Sequence, residues 1–532
     1  MKSLLVYKTY VLSIAVGCFL VSTMYHQSFK KCSNRENGII LKIDTKKASE
    51  IKMRISRIFN HIDQRIPKVT LIDKDSATSA TNSKVFIKTP QNRYCVGDQL
   101  TVQVDVYDHL GKRKSYGGDY LRARISNPDM RAGSSGRIED LNNGTYHIHF
   151  TLFWEGKVVV TVFLMHPSEV VSALWKSRNS WYGQVDYVGK FTSKDKEIVT
   201  KCGFAFDKKE ELCEYADHED DEYFYCVKPK NFSCGSLTEL KSTKTYASQL
   251  SKLENSLFTR SNVRVEIPVN ISAIDVVLCN GLSSEKKEHC KTGMGLEYPS
   301  GHVMEEIWYP KGCTMKTYHS MEELNACMKG KFIYMFGDST TLQWMKYFEK
   351  NLKTLKLLNI YESGWAQKHL GVDIARNIYV QWKRHGRPFV TLDFASVREE
   401  RSIPREIDII GGSPYTVIAF TIGVHFRLFP VHHYIRRLLN IRRAIERLLI
   451  RSPQTKVIIK TENTSEMVNE FEGMSDFYGY IHYFIMEIIF KDLNVGFVNG
   501  WDMTTAFNLN QRHPPEPYIR NEVNMLMTYI CT

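Results

Sequence analysis

The chain has 532 residues, 43% of them apolar and 24% charged, with a formal net charge of +13. These fractions exclude a generally disordered or collagen-like chain, and the length exceeds one ordinary domain, so two or three are expected. The positive balance suits acidic glycans or a membrane surface; no zinc-finger, homeodomain or RNP pattern is present, so no nucleic-acid partner is expected.

Between Lys8 and Lys30, 21 residues carry no Asp, Glu, Lys or Arg. Their apolar part, "YVLSIAVGCFLVSTMY", is long enough to span a bilayer and also suits a signal-peptide core behind Lys2 and Lys8. Residues 1–29 are therefore expected to be an uncleaved signal anchor or a signal peptide. Either reading puts the rest of the chain in the secretory pathway: in the ER or Golgi lumen as a type II membrane protein, or secreted. Four sequons agree, at Asn143, Asn231, Asn270 and Asn463. So do the 12 cysteines, ten of them between Cys95 and Cys531, an even set that reads as disulfides in an oxidising compartment. No Cys-x-x-Cys pair and no His at ligand spacing occurs, so no metal is expected.

Residues 30–83 form a Lys-rich stem with one amphipathic stretch, "IKMRISRIFNHI", closed by the linker-like "SATSATNS" (76–83). From 84 to 200 the hydrophobic period becomes two. "QLTVQVDVYD" (99–108) and "DYLRARIS" (119–126) alternate as half-buried strands, and 142–165 reads as strand, turn, strand. This spacing predicts an all-β, immunoglobulin-like sandwich. Residues 201–315 hold seven cysteines and an acidic run, "ADHEDDEYF" (216–224), which reads as a solvated loop.

From 316 to 532 strands and helices alternate. "KFIYMF", "YTVIAFTIG", "TKVIIKT" and "NVGFVNGWDM" are apolar strands. Between them, "VHHYIRRLLNIRRAIERLLI" (431–450) places Ile435, Leu438, Leu439, Ile445, Leu448 and Leu449 on one helix face, with its Arg pairs in solvent. The expectation is an α/β domain with a parallel sheet between two helix layers.

Ligands bind outside the carboxyl ends of the strands in such a sheet. Ser339 stands there, in Gly337-Asp338-Ser339, between a strand and a helix. It is either a nucleophile or one of two polar residues capping the helix. His513, in a Pro-rich loop after the last strand, could be its base. Gly337, Gly423 and His425 lie at the same predicted edge, where an oxyanion or a substrate would sit.

The ordered set "GDSTTLQW", "HFRLFP", "VIIKTEN", "GWDM" and "HPPEP" resembles the neurexophilin and PC-esterase domain (NXPE) family. "YCVGDQL", "NNGTYHIHFTLFWEGKV" and "HPSEVVSALW" resemble its neurexophilin-like half. The resemblance covers nearly everything from about residue 85. It implies a luminal or secreted glycoprotein with an immunoglobulin-like module, a Cys-rich segment and a three-layer domain like SGNH hydrolases. Relatives of that domain add or remove O-acetyl groups on glycans, including sialic acids. The implied partners are a glycan or glycoprotein substrate, with acetyl-coenzyme A as one acetyl donor and no cofactor held by the protein. A cell-surface receptor is the alternative partner, since neurexophilins resemble ligands of neurexin-type receptors. The resemblance carries Ser339 as nucleophile and His513 as base. The wider pattern is Asp-x-x-His, but Asn510 stands three residues before His513. Asp502 is the expected substitute.

Overall fold

The structure is a computed structural model that describes residues 49–180, 185–206, 210–244, 248–259, 263–279, 287–358, 368–398, 400–466 and 471–531. The apolar stretch Tyr10–Tyr25 lies outside these residues. No helix among the described residues is long and apolar enough to cross a membrane. Residues 49–57 are helical. Residues 58–532 form one compact unit, multidomain in its cores and rich in sheet.

Period-two patterning builds the first core. In Gln99–Asp108 the apolar Leu100, Val102, Val104 and Val106 are all fully buried. This strand pairs antiparallel with Thr78–Ile87 and with Thr145–Thr151, and Arg137–Asp140 completes a four-stranded sheet. A second sheet runs in the order Ile307–Pro310, Gly301–Met304, Ala132–Ser135, Tyr120–Asn127, Gly156–His166, Ile274–Val277, Tyr94–Cys95. Ile125, Val160 and Val162 of this second sheet meet Val102, Ile148 and Phe150 of the first in one apolar core.

Three readings of the sequence change here. The linker-like 76–83 is mostly strand: Asn82 Nδ2 donates to Asp108 O at 2.8 Å and Ser83 Oγ to Ser79 O at 2.6 Å, so its small polar residues are satisfied within the sheet. The segment 201–315 divides. Its first part joins Val185–Ser193 in a small antiparallel sheet held by Cys202–Cys226 and Cys213–Cys234. Its second part returns to the sandwich, where Cys95–Cys279 clamps the parallel pair Tyr94–Cys95 and Ile274–Val277. The acidic run is not a free solvated loop: it spans the ends of two paired strands, and although His218 and Glu219 are exposed its carboxylates are paired. Arg405 bonds Asp217 and Glu219, Arg436 bonds Asp221, and Arg437 bonds Glu222. Arg437, on the long helix Val431–Arg451, is itself buried.

Beyond 316, Phe332–Gly337 lies between Ile378–Arg384 and Thr416–Thr421, parallel to both. Lys456–Lys460 and Gly496–Val498 continue the parallel order. Lys356–Leu358 and His369–Asp373 extend the other edge antiparallel. Ile333, Met335, Val417, Ala419 and Ile458 face Trp344 and Phe348 of the helix Ser339–Asn351 and Leu526 of the helix Glu516–Cys531. The strand neighbour Phe420 meets Phe490 of the helix Asp476–Phe490 instead, with ring centroids 6.1 Å apart. Cys327–Cys531 joins the two ends of this region, and Cys290–Cys313 stands just before it.

Candidate active site

Gly337 ends its strand pressed against the next one. A Cβ there would stand 2.5 Å from Thr341 Oγ1 and 2.9 Å from Thr421 O. Only a residue without a side chain fits this approach. Asp338 caps the helix, accepting from Thr340 N at 2.8 Å and from the Thr340 hydroxyl at 2.7 Å. The cap is therefore Asp338, which frees the Ser339 side chain for another partner. That partner is His513: Ser339 Oγ and His513 Nε2 are 2.7 Å apart, across 174 residues of sequence. Ser339 opens the helix, so its N–H belongs to the first-turn amides without a partner inside the helix.

His513 stands in a loop held at several points. Thr464 Oγ1 donates to Leu509 O at 2.7 Å, Gln343 Nε2 to Pro514 O at 3.0 Å, and Arg122 Nη1 to Asn510 Oδ1 at 2.7 Å. Partial burial holds the His513 imidazole below its ordinary pKa. Asp338 pulls it back up, and Arg512 and Lys346 push it further down. The ring is thus mostly neutral at pH 7, as a general base requires. Among the described residues, its Nδ1 meets no carboxylate.

Asp502 does not supply one. It lies in the first turn of the helix Gly500–Ala506, fully buried. One of its oxygens accepts from the Ser135 hydroxyl; the other accepts from the Ser300 backbone and from its hydroxyl, the latter at 2.6 Å. Burial raises its pKa, against these hydrogen bonds, which lower it. Asp502 ties the sandwich to the α/β region and takes no part in orienting His513.

Gly423 and His425 follow the strand beside Phe332–Gly337, at the same edge as Ser339. Gly423 is extended, with φ 169°, and a Cβ on it would lie 1.9 Å from Glu462 Oε1. Its smallness makes room for the carboxylate of Glu462. Glu462 accepts from Arg427 Nε at 2.8 Å and pairs with His482 Nδ1 at 2.5 Å. Burial alone would raise its pKa; Arg427 and His482 outweigh it and bring it down to about 2. His425 makes no bond to Ser339. Its Nδ1 lies 3.0 Å from His385 Nε2, and burial first of all lowers its pKa to about 4.

Of the four sequons, Asn143, Asn231 and Asn270 are exposed. Asn463 is not: it is 4% exposed, and its Oδ1 accepts from Lys460 Nζ at 3.0 Å. The folded chain offers no glycosylation site there. This corrects the reading from the tripeptide alone, which carries no information on burial.

Ten cysteines paired as five disulfides, together with a neurexophilin region, fit a secretory glycoprotein. A family model described as "Neurexophilin" matches residues 64–252, and one described as "NXPE family member 4-like, C-terminal domain" matches residues 308–531. Among solved structures, the crystal structure of invasin, a bacterial integrin-binding protein, is 10% identical to the chain. The match covers 58% of this chain and 60% of that one, with a TM-score of 0.14, too low to carry any argument. Two family models in their expected order, the second taking in both Ser339 and His513, place the chain in the NXPE family.

Proposed function

We propose that the region from 316 onward is an SGNH-like domain that transfers or removes O-acetyl groups on glycans, with Ser339 as nucleophile and His513 as base. The observation that carries this reading is the 2.7 Å contact between Ser339 Oγ and His513 Nε2 at the carboxyl edge of a parallel sheet. In the proposed reaction Ser339 Oγ attacks the acetyl carbonyl and its proton passes to His513 Nε2. The oxyanion forms against the Ser339 N–H at the helix start, with Gly423 and His425 on the adjoining edge. Collapse expels the donor's alcohol or thiol, which takes the proton from His513. Water or a sugar hydroxyl then attacks the acetyl-serine, again giving its proton to His513, and Ser339 leaves protonated. Arg512 and Lys346 stand close enough to His513 to act on its pKa, against Asp338 on the other side, and these two cations would serve an acidic glycan such as a sialylated chain. A thioester such as acetyl-coenzyme A would serve as donor in transfer.

The second reading is an inactive binding glycoprotein that engages a cell-surface receptor. One observation favours it: no described carboxylate orients His513, and losing that partner costs a serine hydrolase roughly 10⁴-fold in rate. The deciding experiment expresses the chain in cells that lack it and quantifies O-acetylated sialic acid by mass spectrometry. Ser339→Ala and His513→Gln run beside the wild type. A change that needs both residues establishes the enzyme. No change with a folded, correctly localised wild type favours the binding glycoprotein.

A further inference from the structure

Asn510 stands three residues before His513, where the carboxylate partner of a base would be sought. Its side chain is already engaged. Oδ1 accepts from Arg122 Nη1 at 2.7 Å, and Arg122 belongs to the sandwich, 388 residues away in sequence. The other arm of that guanidinium pairs with Asp476. Asp476 Oδ1 in turn accepts from Ser465 N at 2.7 Å and Arg427 Nη1 at 3.3 Å. The Arg122 side chain is 10% exposed and lies over the Trp501 ring at 5.7 Å. Its strand, Tyr120–Asn127, is interior to its sheet, so the backbone beneath the guanidinium is fixed on both sides. Among the bonds to the His513 loop described above, this one has a charged donor, the stronger kind of hydrogen bond.

We propose that Arg122 is a positioning residue: through Asn510 it tethers the loop carrying His513 to the sandwich. On this account Asn510 is an anchor rather than a triad acid that has lost its charge. An aspartate at 510 would stay with Arg122 as an ion pair and would not turn to His513. The consequence for catalysis rests on the Ser339–His513 reading; the tether itself does not.

Two measurements on the full chain separate these claims: amide hydrogen exchange across residues 508–513, and the rate at which a fluorophosphonate probe labels Ser339. Asn510→Ala is expected to speed the exchange about tenfold and slow labelling about tenfold, the effect of freeing one charge-assisted bond beside a reacting group. Arg122→Gln should do the same, and adding it to Asn510→Ala should change little more, since both remove one link. Asn510→Asp keeps an acceptor for Arg122 and should stay within about twofold of wild type on both readouts. Unchanged exchange in Asn510→Ala overturns the tether. So does labelling of Asn510→Asp raised by about 10³-fold, which would mark position 510 as a vacant triad acid. Faster exchange in Asn510→Ala with a wild type that does not label supports the tether and sinks the nucleophile. Should Arg122→Gln fail to fold, the two Asn510 variants decide alone.

Discussion

Two histidines in this molecule each hold half of a catalytic triad. His513 has a serine on Nε2 and, among the described residues, no carboxylate on Nδ1. His482 has a carboxylate, Glu462, 2.5 Å from Nδ1, but Arg178 Nη2 stands 2.6 Å from its Nε2 where a nucleophile would have to be. Burial, more than any neighbour, lowers the His482 pKa to about 3, so it is a neutral acceptor wedged between a cation and an anion. The better-oriented imidazole is thus the structural one. A carboxylate–histidine pair says nothing about catalysis until the atom beyond the second nitrogen is known. Arg178 comes from the helix Ser168–Ser180 and also donates to Phe429 O and Phe426 O, so that atom belongs to a contact between regions.

The contrast breaks most visibly by substitution. His513→Gln and Ser339→Ala should each cut fluorophosphonate labelling by at least about 10³-fold while leaving the melting temperature unchanged. His482→Ala should do the opposite. It strands Arg178 and Glu462 in the interior and costs about 3 kcal/mol of stability in denaturant unfolding, with labelling per folded molecule kept. Acid sharpens the difference further. The unfolded chain binds protons at His482 from about pH 6.5 downward and at Glu462 from about pH 4.5, whereas the folded chain resists until about 3 and 2. Stability should therefore fall as pH drops through those windows, and Glu462→Gln should flatten the lower part of the loss. Labelling of Ser339 should rise with pH through a midpoint lower than that of a free imidazole, because the His513 pKa lies beneath its ordinary value. The smallest effect belongs to the sequons. Asn143→Gln, Asn231→Gln and Asn270→Gln should each remove one glycan's mass from the secreted or luminal form, and Asn463→Gln none.

What was legible in the sequence followed from periodicity and from local motif order. Alternation in Gln99–Asp108 and the apolar face of Val431–Arg451 appear as expected, because each is a property of a few consecutive turns or pleats. Ser339 and His513 could be paired because Ser339 follows one strand of the sheet and His513 comes after its last strand, although the helix Gly500–Ala506 intervenes there. Arg437, Asp502, Asn510 and Glu462 were misjudged or missed, since each is decided by a partner from a distant element. Glu222, Ser135 and Arg122 carry no mark of those partners in their own surroundings. Arg122 and Arg124 sit two apart on a strand and so share a face, which alternation alone reads as the solvent face. It is covered instead: Arg124 Nη2 donates to Ala506 O at 3.0 Å.

The bond between Cys327 and Cys531 has a consequence for the order of events during synthesis. It cannot form before residue 531 has been translated, and the helix Glu516–Cys531 that covers the sheet arrives equally late. Until then Asn463 is accessible to an oligosaccharyltransferase. Afterwards it is sealed beside Lys460 and Tyr518, whose hydroxyl lies 3.3 Å from its Oδ1. Folding and sugar transfer at this asparagine therefore compete in time, and a chain that receives the sugar first cannot close the domain. Occupancy at Asn463 becomes a record of chains that folded too slowly, carried in the covalent structure of the protein itself.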